Sequence, residues 1–196
     1  MNDYIGVCGN IASGKSTFVS IFEKKIANVV FEDFEQNMFI EAFYSDPEKY
    51  SFETELTFLL QHYHSIKESS EKYSLSIFDF SIILDKAYAD VTLPPRRRKL
   101  FHLVAEELEY EIGLPSKIIY LYCTEETLIS RIKKRNRRFE DSIDVEYLTA
   151  LNQSIDNQIT LIGDKIDVLR IDSDKIDFSS NNKDINYVQS LIQSAR

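Results

Sequence analysis

Several residue types that often define a class of protein are scarce in this chain of 196 residues, which has two cysteines, five glycines and no tryptophan. Cys8 and Cys123 each end an apolar run, so we expect buried, reduced thiols rather than a disulfide framework or a metal site. No apolar run approaches the ~18 residues that span a bilayer, and no signal-peptide pattern precedes the first apolar segment. These absences predict a cytoplasmic protein that does not bind a membrane.

Positive charge is also in deficit. Lys and Arg together number 23 against 32 Asp and Glu, which gives a formal net charge of −9. Such a chain does not attract nucleic acid or anionic membranes over its whole surface, so we expect neither as a partner, although a local basic cleft stays compatible with this charge. The length fits a single domain over residues 1–196.

Two of the few glycines belong to a phosphate-binding pattern that directly follows the apolar run 4–8. The pattern GxxxxGK[ST] is formed by Gly9, Asn10, Ile11, Ala12, Ser13, Gly14, Lys15, Ser16 and Thr17. In such a loop the backbone N–H groups approach phosphate oxygens, Lys15 reaches the β- and γ-phosphates, and the Ser16 hydroxyl binds Mg²⁺. A chance glycine-rich turn is the alternative. The helical spacing of Phe18, Ile21 and Phe22 behind the loop favours a P-loop that binds ATP with Mg²⁺.

Short apolar segments alternate with segments of helical periodicity along the chain. Strands are predicted at residues 4–8, 28–31, 74–78, 117–123 and 167–171, and helices at 46–69, 95–112, 125–134, 145–162 and 183–194. This alternation predicts an α/β fold of the P-loop NTPase type, with three layers in which helices cover both faces of a parallel sheet.

Carboxylates follow two of the predicted strands. Glu32 and Asp33 come after the second strand, and Asp79 comes after the third. The carboxyl ends of parallel strands meet at the edge that binds ligands. Asp79 would then hold Mg²⁺ through water, and Glu32 would accept a proton from an attacking hydroxyl. The alternative is that these carboxylates only cap the helices that follow.

Two basic segments have different interpretations. The segment after the fourth strand predicts a lid over about residues 131–142 that closes over phosphates, with a solvated loop as the alternative. Its basic residues are Arg131, Lys133, Lys134, Arg135, Arg137 and Arg138. The run at 96–99 opens a predicted helix and is expected to be solvated surface, with a contact to an acidic neighbour across a dimer interface as the alternative.

From residue 5 to about residue 148 these motifs resemble the deoxynucleoside kinase family, which transfers the γ-phosphoryl group of ATP to the 5′-hydroxyl of a deoxynucleoside. Glu32 matches the family's general base, while Tyr44 and Glu140 match the residues that hold the sugar 3′-hydroxyl. Arg131, Arg135 and Arg137 resemble the lid arginines. The resemblance implies a five-stranded parallel sheet, a nucleoside substrate and a homodimer.

The chain departs from the family pattern at the acceptor site. Phe80 stands where the family has an arginine that steadies the base and the 5′-oxygen, Glu55 replaces a base-reading glutamine, and His62 replaces an arginine. Asp85 matches an acid that bonds the nucleobase. An ionised Glu55 only accepts hydrogen bonds, so it would suit guanine N1–H with its amino group, or a protonated base.

The expected function is therefore Mg²⁺- and ATP-dependent phosphorylation of a deoxynucleoside, in nucleoside salvage. Phe80 favours one alternative, a catalytically weakened nucleotide-binding regulatory protein. A kinase of a nucleoside monophosphate or of another small alcohol is the other alternative.

Overall fold

The computed structural model describes residues 3–23, 28–137, 140 and 142–193. Five strands form one sheet: β1 (Asp3–Cys8), β2 (Asn28–Val30), β3 (Leu75–Phe78), β4 (Lys117–Tyr122) and β5 (Asp167–Asp172). Their order is β2-β3-β1-β4-β5, and every pairing is parallel. The predicted α/β fold with a five-stranded parallel sheet is thereby confirmed.

Helices fill the connections between the strands. Those described are α1 (Lys15–Ser20), α2 (Ile40–Ser45), α3 (Pro47–Lys72), α4 (Ile82–Thr92), α5 (Pro95–Ile112), α6 (Glu125–Arg135), α7 (Val145–Ile162) and α8 (Asn182–Gln193). The helices α2 and α4 were not predicted. Ser81 marks the start of α4, because its hydroxyl accepts a hydrogen bond from the Leu84 amide at 3.1 Å. The predicted last residue of α8, 194, lies outside the described residues.

The core follows from the two-residue period of the strands. Ile5 and Val7 of β1 pack with α1 and α8 on one face of the sheet, whereas Tyr4 and Cys8 point to the opposite face. Helices α3, α4, α5 and α7 cover that opposite face. The result is the three-layer arrangement that the sequence predicts.

Two smaller predictions concern burial and charge. Cys8 and Cys123 are buried and free, as expected for structural thiols. Arg96, Arg97 and Lys99 are exposed, which supports the interpretation of residues 96–99 as solvated surface.

Within the described residues, no helix has both the length and the apolar character that crossing a membrane requires.

Candidate active site

A cavity of about 660 Å³ opens at the carboxyl edge of the sheet. The P-loop and residues 173–179, which follow β5, form part of its lining. Side chains of α2, α3 and α4, and basic side chains of α6 and of the segment after it, form another part. Most predicted site residues line this one cavity: Ile11, Ala12, Gly14, Lys15, Ser16, Thr17, Glu32, Tyr44, Glu55, Asp85, Arg131, Arg135, Arg137 and Glu140.

The P-loop backbone has a shape that only certain residues tolerate. Gly9 has a φ of 154°, and a Cβ built there would lie 2.5 Å from the Ser13 hydroxyl and 2.6 Å from the Leu121 carbonyl oxygen. Gly14, with a φ of 102°, caps α1 from the left-handed region. The ammonium of Lys15 folds over the loop and donates to the carbonyls of Gly9 at 3.0 Å and Asn10 at 3.1 Å. Burial lowers the pKa of Lys15, against the opposing charges of Glu32 and Asp79.

Asn10 ties the loop to α7, a role that the pattern alone does not reveal. Its side-chain amide donates to the Leu148 carbonyl at 2.9 Å and to Asn152 Oδ1 at 2.7 Å, and its own Oδ1 accepts from the Ile11 amide at 2.7 Å. The side chain is almost fully buried. The loop is therefore held in shape before any phosphate binds.

Asp79 lies behind the cavity wall at the end of β3. Its Oδ1 accepts a hydrogen bond from the Glu32 amide at 2.5 Å. Burial raises the pKa of Asp79, whereas hydrogen bonds from the Ser16 side chain and the Glu32 backbone oppose that rise. Hydroxyl and carboxylate oxygens of this kind fit Mg²⁺, which binds few protein groups and keeps several waters. Within the described residues no cluster of three or more His, Cys, Asp or Glu side chains forms a denser metal site.

His62 lies between two carboxylates. Its Nδ1 is 2.9 Å from both carboxylate oxygens of Asp85, and its Nε2 is 3.1 Å from Glu32 Oε1. Burial alone would lower the pKa of His62, but Asp85 and Glu32 raise it to about 10. Burial would raise the pKa of Glu32, yet His62, Lys15 and Arg137 hold it below its usual range. Asp85 is buried, and its pKa is raised.

Two predicted substrate-binding residues lie outside the cavity lining. Phe80 is 2 % exposed, and its ring stacks on His62 with centroids 4.0 Å apart and planes 10° apart. His62 itself lies behind Glu32 and Asp85, so it contacts the residues that face the cavity rather than lining it.

Glu55 faces the cavity from α3 with only 4 % of its surface exposed. The Thr92 hydroxyl lies 2.9 Å from Glu55 Oε1 and 3.0 Å from the Tyr88 carbonyl. Burial, together with the charges of Asp85 and Glu32, raises the pKa of Glu55 to about 8. Base recognition by an ionised Glu55 was the expectation from its place in the sequence, whereas a pKa of about 8 favours the protonated carboxyl at neutral pH.

Predicted sugar-binding and lid residues contact one another in the cavity lining. Arg135 forms a two-point ion pair with Glu140, its Nε donating to Oε2 at 2.6 Å, and Arg137 Nη1 is 3.5 Å from the same carboxylate. Burial and the charge of Glu140 raise the pKa of Tyr44. Residues 138, 139 and 141 of the predicted lid lie outside the described residues, so the lid stays a prediction.

Arg131 contacts the P-loop directly. Its guanidinium donates to the Ser13 carbonyl at 3.1 Å and to the carbonyl of Ser173 at 2.7 Å. It thereby joins the loop to the segment that follows β5. Residues 173–179 were not predicted as part of the site, and no sequence pattern singled them out. Their position is set by the pairing of β5 with β4.

The fold and the cavity define a P-loop enzyme that binds a nucleotide beside a carboxylate-lined acceptor pocket. Residues 5–195 match the family model described as deoxynucleoside kinase. The chain belongs to the deoxynucleoside kinase family, whose members phosphorylate deoxynucleosides in salvage. The predicted family and enzyme class are thereby confirmed.

Individual relatives agree with this assignment. The chain is 28% identical to a deoxyguanosine kinase from Bacillus subtilis (strain 168), an alignment that covers 97% of this chain and 96% of the relative. It is 30% identical to a deoxyadenosine kinase from Lactobacillus acidophilus over 71% of this chain and 70% of the relative. Two solved structures of deoxyadenosine kinase from M. mycoides, one with bound dCTP and one with bound dATP, share the fold. Each has a TM-score of 0.83 and 23% sequence identity, and each comparison covers 97% of this chain and 99% of the other.

Proposed function

We propose that this protein transfers the γ-phosphoryl group of ATP to the 5′-hydroxyl of a deoxynucleoside, with Glu32 as the general base. The observation that carries the proposal is the position of Glu32 in the shared cavity. Lys15 and Ser16 line the same cavity as Glu32, and so do the predicted sugar- and base-binding groups. A proton acceptor thus shares one cavity with a phosphate-binding loop and with the groups of an acceptor pocket.

The proposed reaction is a direct transfer of the phosphoryl group from one oxygen to another. The 5′-oxygen forms a bond to the γ-phosphorus while the bond from that phosphorus to the β,γ-bridging oxygen breaks, which releases ADP. The proton of the 5′-hydroxyl passes to the Glu32 carboxylate. Lys15 holds the β- and γ-phosphates, and Arg135 and Arg137 neutralise the charge that develops on the transferred group.

Mg²⁺ fits the oxygen groups of Ser16 and Asp79 described above. When bound, the ion neutralises charge on the β- and γ-phosphates. In the proposal Ser16 supplies a hydroxyl ligand. Asp79 acts from behind the wall through water, which agrees with its burial and with its hydrogen bond to the Glu32 amide.

On the acceptor side, Tyr44 and Glu140 would bind the 3′-hydroxyl, and Glu55 and Asp85 the base. A protonated Glu55 offers one donor and one acceptor, which is the set that pairs with adenine N1 and its amino group or with the matching edge of cytosine. Once ionised, Glu55 only accepts and pairs with the N1–H and amino group of guanine. We therefore propose deoxyadenosine or deoxycytidine as the better acceptor at pH 7, with deoxyguanosine gaining at higher pH.

An acceptor panel tests the function and separates it from the alternatives. Mg·ATP is incubated with the four deoxynucleosides, the ribonucleosides and the matching monophosphates, and Lys15→Ala is the control. The proposal expects 5′-monophosphate products that the Lys15→Ala variant does not form. Transfer only to monophosphates would identify a different kinase, and ATP binding without any transfer would identify a binding protein.

Two further predictions extend the proposal to the assembly and the cell. The family resemblance implies a homodimer, and the scarcity of cysteine and of apolar runs implies a cytoplasmic location. Sedimentation equilibrium tests the first, and cell fractionation tests the second. A monomer at assay concentration would contradict the predicted dimer.

A further inference from the structure

We infer that His62, as a positioning residue, holds the general base Glu32 in its reactive orientation. The inference rests on the proposed function, since it concerns the group that accepts the proton. His62 does not line the cavity and is not assigned any contact with substrate. It would act through Glu32 alone.

Glu32 needs such a partner because of where it lies. It follows β2 in an irregular segment, ahead of a short 3-10 turn at Phe34–Gln36, and one third of its side chain is exposed. Its backbone is fixed by the hydrogen bond to Asp79, but that bond leaves the side chain free to rotate. A glutamate on irregular backbone has several accessible rotamers, most of which would direct the carboxylate away from an acceptor hydroxyl.

His62, in contrast, is fixed on every side. It lies in the middle of the long helix α3, and Asp85 holds its Nδ1 through both carboxylate oxygens at 2.9 Å. Phe80 stacks on one ring face at 4.0 Å, and Phe58 lies 5.8 Å from the ring centroid with its plane tilted by 28°. The remaining ring atom with polar character, Nε2, lies 3.1 Å from Glu32 Oε1.

The two flanking carboxylates also define the protonation state. An imidazolium carries an N–H on each ring nitrogen, whereas a neutral imidazole carries only one. The Nδ1 of His62 is hydrogen-bonded to Asp85, while its buried Nε2 lies within ion-pair distance of Glu32 Oε1, at 3.1 Å, without the geometry of a hydrogen bond. The acidic groups near the ring come from three elements: Glu32 after β2, Glu55 on α3 and Asp85 on α4. A positive His62 therefore has charge partners on both sides, and the raised pKa agrees with this arrangement.

Phe80 gains a role in this arrangement. It stands at the position where the family pattern has an arginine, and it provides no charge. Its ring instead supports the imidazole that faces Glu32. The cation that steadies the base is thus supplied from α3 rather than from the end of β3.

The test compares His62→Gln and His62→Arg with the matched control His64→Gln, which changes an exposed histidine two residues further along α3. We expect His62→Gln to lower kcat by about 10- to 100-fold with little change in the KM for ATP, since misplacing a reacting group has effects of that size. His62→Arg should restore part of the loss, and His64→Gln should behave as wild type. A marked rise in the KM for ATP together with the fall in kcat, or an equal loss of kcat in His62→Arg, would overturn the inference.

A spectroscopic measurement keeps the inference testable if His62→Gln does not fold. The chain has three histidines, so ¹⁵N spectra of the wild-type imidazoles can be assigned with the His64→Gln and His102→Gln variants. We expect the His62 ring to remain doubly protonated at pH 8, and a neutral ring would overturn the inference. The spectrum does not depend on turnover, so failure of the proposed kinase activity and failure of this inference give different results.

Discussion

Replacing Glu55 with glutamine should make the protein more stable, and the gain should grow with pH. The folded state raises the pKa of Glu55 from 4.5 to about 8. The unfolded chain releases this proton near its ordinary pKa, whereas the folded protein keeps it. The unfolded state therefore binds fewer protons between those two values, and the free energy of unfolding falls as pH rises through that range. Well above pH 8, Glu55 is ionised in both the folded and the unfolded protein, so the stability stops falling.

The size of the effect follows from the distance between pH and pKa. At pH 7 the solution is about 2.5 units above the unfolded pKa, and each unit is worth about 1.4 kcal/mol, so the carboxyl costs about 3 kcal/mol of stability. At pH 5 the same calculation gives about 1 kcal/mol. Glutamine keeps the shape and a hydrogen-bonding partner for Thr92 but does not ionise. The free energy of unfolding of Glu55→Gln should therefore exceed that of the wild type by about 3 kcal/mol at pH 7 and about 1 kcal/mol at pH 5.

Urea unfolding of both proteins at pH 5, 6, 7 and 8 measures the difference. Glu71→Gln is the matched control, because it makes the same change on an exposed residue of the same helix. We expect the stability curve of Glu71→Gln to run parallel to that of the wild type. A Glu55→Gln curve that also runs parallel to the wild type would refute the argument that the folded protein holds Glu55 protonated.

Two further predictions concern the base and the loop. Raising the pH from 6.5 to 9 should increase the ratio of kcat/KM for deoxyguanosine to kcat/KM for deoxyadenosine in the wild type. In Glu55→Gln the same ratio should stay nearly constant, and equal pH responses in the two proteins would contradict the proposed base recognition. Gly9→Ala should lower the free energy of unfolding by more than about 2 kcal/mol and abolish the ATP binding measured by calorimetry, because the added Cβ would lie 2.6 Å from the Leu121 carbonyl oxygen. Gly163→Ala is the control, since a Cβ there makes only ordinary contacts, and it should change neither quantity. Retained ATP binding in Gly9→Ala would contradict the proposed rigidity of the loop.

Much of the site was predictable because local sequence determines it. The P-loop needs consecutive residues of fixed types, so its nine residues define both the loop and the start of α1. Glu32 and Asp79 were predictable from topology, since parallel strands bring their carboxyl ends to one edge. The long helix α3 was predictable from its periodicity and from Asp46, which caps it ahead of Pro47.

The unpredicted parts depend on contacts between distant segments. The short helix α2 lacks the length over which periodicity is readable, and α4 is apolar on most sides, so it shows no clear stripe. The pairing of His62 with Glu32 joins residues 30 positions apart through the packing of α3 against the sheet edge. The protonation of Glu55 depends on burial and on Asp85 from another helix, neither of which a single sequence reveals.

Turnover by Glu32→Gln, measured beside nucleotide binding by the same variant, decides whether Glu32 is the general base. Glu35→Gln is the matched control, because it changes an exposed glutamate three residues further along. With Mg·ATP and deoxyadenosine at pH 7, we expect Glu32→Gln to lose at least about 100-fold in kcat, as removal of a general base does, while its ATP affinity stays near that of the wild type. Turnover close to that of Glu35→Gln would contradict the assignment of Glu32 as the base.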